Sequence, residues 1–94
     1  MPDDVPSDVL AVLRQLFEET ETALRDGEFE TARQTIGTAE TVGRNKLPGG
    51  ELRGQVRHGC GEVTVALEPD DGVDADVAAE YVRAMAQRLD GTTG

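Results

Sequence analysis

Apolar side chains return every three or four residues in four separate stretches of this chain, and the stretches are divided by segments that break regular structure. That spacing is the period of an α-helix with one buried face. In the first stretch Val9, Leu10, Leu13, Leu16, Phe17, Thr20 and Leu24 recur, while Arg14, Glu18, Glu19 and Glu21 fall largely on the other side. Ser7 is a good N-cap and Asp8 sits where the helix dipole favours an anion. Asp26-Gly27 closes the segment, because glycine adopts the left-handed conformation cheaply. The spacing predicts a helix over 7–25.

A second helix is expected over 28–46, with Phe29, Ala32, Ile36, Ala39 and Gly43 in one stripe of mostly small residues. Gly37 and Gly43 each lower its intrinsic stability by up to about 1 kcal/mol relative to Ala, so packing must hold it. Pro48-Gly49-Gly50 is the clearest breaker in the chain. From 50 to 67, Leu52, Val56, Cys60, Val63 and Leu67 keep helical spacing, although Glu62 to Glu68 read alone alternates like a strand. Helix is the expectation there. Pro69-Asp70-Asp71-Gly72 reads as a turn. Asp74 is the expected N-cap of a last helix over 74–89, with Val73 packing on Ala78 as a hydrophobic staple. Its expected buried face is Ala78, Tyr81, Val82, Met85 and Leu89, and residues 1–6 and 90–94 are expected to be flexible ends. These elements predict an all-α fold, a single helical domain over 1–94 built as a small four-helix bundle.

The core available to such a bundle is thin. Phe17, Phe29 and Tyr81 are the only aromatic residues among 94, and there is no Trp. A thin aliphatic core gains from shared burial, and two-fold dimers are the commonest oligomers. Gly54, Gly59 and Gly61 would let a second backbone approach the third helix, within the bundle or across a two-fold axis. A homodimer is the expected state.

Nineteen acidic residues face nine basic ones, for a formal charge of −10. Such a surplus repels nucleic-acid phosphates and favours solubility, at a cost in self-repulsion that salt relieves. Lys46 is the only lysine against eight arginines, and Ile36 is the only isoleucine. Acid in excess with lysine almost absent resembles the proteins of halophilic archaea, although GC-rich coding favours part of the same pattern. No apolar run approaches the ~18 residues of a membrane span, and the acidic start lacks the features of a secretory signal. Cys60 is the only cysteine, which excludes an intrachain disulfide. A cytoplasmic location is expected, with no membrane and no nucleic acid as partners.

Arg44, Lys46, Arg53 and Arg57 form the most unusual local feature, for between Thr41 and Gly61 only Glu51 opposes them. One reading is an anion or partner site of guanidinium forks, which His58 could join. The other is a strip that pairs with acidic helices of the same molecule or of a symmetry mate. His58, Cys60 and Glu62 would share a face as three metal ligands on a strand, whereas a helix turns positions two apart roughly 200° away from each other. Cys60 on the Leu52–Val56–Val63 stripe is read as a small buried hydrophobe. No separate base and orienting group accompany Cys60 and His58, Ser7 is the only serine, and Gly49-Gly50 runs into Glu51, which would repel phosphate. No catalytic residues, metal site or cofactor are expected.

The run Ala23-Leu24-Arg25-Asp26-Gly27-Glu28-Phe29-Glu30-Thr31-Ala32 is similar to the turn of a tetratricopeptide hairpin, with Ile36 and Ala39 continuing that spacing. It occurs once, and a repeat architecture needs about three copies. Residues 16–41, with Ala39-Glu40 following, also resemble an archaeal family of small helical proteins of unknown function, and depart from it after Val42. Both resemblances imply a helical hairpin, and neither supplies an activity. The function expected is therefore a non-enzymatic protein–protein interaction module of a halophilic archaeon. The alternative is a small anion-binding protein using the strip 44–58.

Overall fold

A computed structural model describes residues 7–47, 49–68 and 74–92. Four helices follow in order: α1 (Ser7–Arg25), α2 (Phe29–Lys46), α3 (Glu51–Ala66) and α4 (Ala75–Thr92). The strand alternative for 62–68 is resolved as helix, for α3 runs on to Ala66 and Leu67 caps it. The last helix continues three residues past the expected end at Leu89. Ser7 is already helical, one step inside the cap position expected of it. The turn at 69–72, the staple residue Val73, Pro48 and the ends at 1–6 and 93–94 lie outside the described residues.

Chain reversals follow from local chemistry. Gly27 takes φ +76°, and the Glu28 N–H reaches back to the Ala23 carbonyl at 2.8 Å, which closes α1 in the manner of a Schellman cap. Asp74 does cap α4, its Oδ1 accepting the Val77 N–H at 3.2 Å.

Helix α1 packs on both α2 and α4; α3 completes the ring against α2 and, more loosely, against α4. Neighbours run antiparallel. Thr20 of α1 meets Thr35 of α2, Arg33 near the start of α2 reaches Leu67 past the end of α3, and Arg25 at the end of α1 bonds Glu80 in α4. The core joins Leu13, Phe17 and Leu24 to Ile36, Val63, Leu67, Val82 and Leu89, all nearly sealed from solvent. Every residue of the expected α1 stripe lies in or against that core.

One position of the expected α4 face is wrong. Tyr81 is 37% exposed, while Ala79 is fully buried in its place. Tyr81 lies on the flank of the Ala78–Val82–Met85–Leu89 stripe that faces α3, the loosest neighbour, and Ala79 on the flank that faces closely packed α1. The glycines also divide. A Cβ on Gly59 would collide with the Met85 sulfur, and one on Gly43 would stand 2.9 Å from Val56 Cγ1. Gly54 and Gly61 have nothing within 4 Å of that point, so neither serves a close approach inside the bundle.

Candidate functional site

The basic strip does not form one surface. Arg44 and Lys46 are two residues apart near the end of α2, which sets them about 200° apart around the axis. Arg44 and Arg57 directly follow Gly43 and Val56, the contact between α2 and α3. They flank that seam on its outer side, with Arg53 one turn before Arg57. His58 is one residue further round, on the outward ridge of α3. Arg44, Lys46, Arg57 and His58 are exposed and Arg53 is half-buried. Within Arg53 the Nε atom is shut off from solvent and has no hydrogen-bond partner. Among the described residues the ion pairs join Arg25 to Glu21 and Glu80, at 3.0 and 3.1 Å, and none joins the strip to an acidic helix of its own chain.

The His58–Cys60–Glu62 set dissolves on α3. His58 is exposed and Cys60 is buried to 1%. Burial pushes the Cys60 thiol up to about 12, and the Glu40 carboxylate across the seam adds to the shift. The nucleophilic thiolate is therefore scarce at neutral pH. Among the described residues no three His, Cys, Asp or Glu side chains gather where they could share a metal ion, and no helix is long and apolar enough to cross a membrane.

A more prominent feature lies on the other flank of α3. A groove of about 340 Å³ opens between α3 and α4, lined by Glu62, Val63, Ala66, Asp74, Val77, Ala78 and Tyr81. Val77 is 63% exposed and Val65, on the adjoining ridge, 58%. Val77 is thus held in water in the groove, and Val65 on the outward ridge of α3 beside it. Sequence spacing missed this surface because Val65 and Val77 look like ordinary helix residues. The signal was available in pairs: Val65 falls off the Val56–Cys60–Val63 stripe, and Val77 off the Ala78–Val82 one.

Charge is distributed along the bundle as unevenly as apolar surface is around it. The antiparallel order puts the start of α1 and α3 beside the end of α2 and α4. Among the described residues that half carries six of the nine basic ones, Arg14, Arg44, Lys46, Arg53, Arg57 and Arg88, against Asp8, Glu40 and Glu51. The other half of the described chain holds eleven acids against Arg25, Arg33 and Arg83.

The α1–α2 hairpin has the form that both sequence resemblances imply, but neither resemblance is confirmed by comparison with known proteins. No curated protein matches the chain, and no solved structure does. Over residues 1–91 the chain matches the family described as Domain of unknown function (DUF8101), and it belongs to that family.

Proposed function

We propose that this protein is a non-enzymatic interaction module of a salt-adapted cytoplasm, and that the α3–α4 side is its working surface. The observation that carries the reading is the open groove with Val77, Tyr81 and Val65 exposed beside it. Apolar side chains grouped beside a groove and rimmed by polar groups such as Glu62 and Asp74 are what a partner's apolar face would cover. The acidic composition fits a cytoplasm in which concentrated salt screens self-repulsion; the Debye length falls to about 3 Å at 1 M. The test is affinity capture from a halophilic extract in about 3 M KCl. Val77→Glu with Tyr81→Glu should abolish the captured set, and Val12→Glu on the outer face of α1 should not. Capture that survives the groove variant would contradict this reading.

A second reading is favoured by Arg53. Its Nε lacks a partner and it stands one turn before the exposed Arg57, so a carboxylate or phosphate drawn to the seam would supply the missing acceptor once the Arg53 side chain turns outward. Titration with inorganic phosphate at constant ionic strength should then give saturable binding that Arg53→Ala and Arg57→Ala each weaken at least tenfold. Binding absent in the wild type would leave the seam a structural feature.

A further inference from the structure

We infer that the occupant of the exposed α3 face is a second copy of this chain, laid antiparallel across it about a two-fold axis. The inference rests on the interaction-module reading and names the partner of that surface. Two observations carry it, one of charge and one of shape.

The first is the lengthwise separation of charge. A parallel copy would set the eleven-acid half beside its equal. An antiparallel copy sets that half beside the half holding six basic residues, so both ends of the contact are complementary. The arrangement is isologous, as a closed two-fold dimer requires. It also gives the basic strip a counter-charge that, among the described residues, no acidic helix of its own chain supplies.

The second is the ridge of α3 itself. Gly54, His58, Gly61 and Val65 succeed one another along its outward side, with Val65 58% exposed and open space above both glycines. Turning the helix end over end about the point between Gly59 and Cys60 brings Val65 of one copy over Gly54 of the other, and His58 over Gly61. Each larger side chain then meets a position with none. His58 also falls within one residue's rise, about 1.5 Å along the axis, of Glu62 on the other copy. Both residues lie on the edge of α3 nearer α4, so the two-fold forms that pair twice. Val77 and Tyr81 extend the apolar contact from the same edge.

The experiment is light scattering after size exclusion in about 3 M KCl, with circular dichroism on each sample, using the full chain. The wild type should weigh about 20 kDa, twice the chain mass of 10.0 kDa. Val65→Glu and Gly54→Val should run as monomers of undiminished helicity; the second fills space that is empty within one copy and removes a glycine from a helix. Glu62→Lys and His58→Glu should each weaken dimerisation at least tenfold, and the two together should restore it. A wild type that stays monomeric up to about 1 mM overturns the inference. If the Val77→Glu, Tyr81→Glu chain still loses its captured partners, the module reading survives that result. A dimer untouched by Val65→Glu and Gly54→Val overturns the antiparallel α3 contact.

Discussion

At the scale of single residues, glycine and cysteine show best how one residue type acquires opposite roles from its surroundings. Gly59 sits where the Met85 sulfur occupies the place of a Cβ, whereas Gly37 faces open space. Gly59→Ala should therefore destabilise the fold by about 1–2 kcal/mol, the overpacking strain exceeding the gain in helix propensity. Gly37→Ala should stabilise it by about 0.5–1 kcal/mol. Urea unfolding midpoints of the two variants against wild type measure both signs. Cys60 provides a pH dependence. Its thiol, ordinarily near 9.0, is pushed up to about 12 by burial, so from about pH 9 upwards the unfolded chain loses a proton that the folded chain keeps. Stability should fall through that window, and Cys60→Ala should flatten that part of the slope. Thiol reagents should label Cys60 slowly in buffer and fast in urea. Its burial was legible in the sequence, because Cys60 stands on a helical stripe; the Met85 contact was not, because it joins residues on different helices.

Elements were the most readable level. Four apolar stripes at helical spacing, separated by Gly27, Gly49-Gly50 and the 69–72 segment, place every helix within about one to three residues of where it is found. The caps that hold two of them differ in how visible they were. Asp74 announces itself as an N-cap, and Asp74→Ala should lower stability by about 1 kcal/mol, read from the thermal midpoint. The end of α3 depends on a residue 34 positions away. Arg33 Nε and Nη2 donate to the Leu67 carbonyl at 3.1 and 2.6 Å, supplying cations and donors where a helix C-terminus has neither. Arg33→Met should selectively speed amide exchange in the last turn of α3 while α1 exchanges as before. Thr20 and Thr35 form another such link. They share a hydrogen bond between α1 and α2, and the carbonyls of Leu16 and Ala32 lie ready for the remaining proton. Single-sequence spacing marks Thr20 as inward-facing, but cannot pair it. Tyr81 was misplaced for the same reason: whether a flanking position is covered depends on how tightly the neighbouring helix packs.

For the whole molecule, the decisive property is asymmetry. Around its axis, the inner face of α1 is sealed between two neighbours with Val12 exposed outside, while Val77 and Tyr81 line an open groove between α3 and α4 and Val65 stands exposed on the outward ridge of α3. Along its axis, basic and acidic residues separate into opposite halves. Neither asymmetry can be seen in the total of −10; each emerges only when antiparallel packing sets distant segments side by side. Excess acid in the same half repels itself in dilute buffer, and salt screens that repulsion. The urea midpoint should therefore rise between 0.1 and 3 M KCl. The measurement that addresses the working surface most directly is a two-dimensional amide NMR spectrum followed over protein concentration in high salt. Concentration-dependent shifts should be confined to residues 54–65 of α3 and 77–81 of α4, with the amides around Val12 unmoved. Shifts centred instead on the outer face of α1, or an absence of shifts while the mass doubles, would contradict the assignment of the α3–α4 side as the interaction surface.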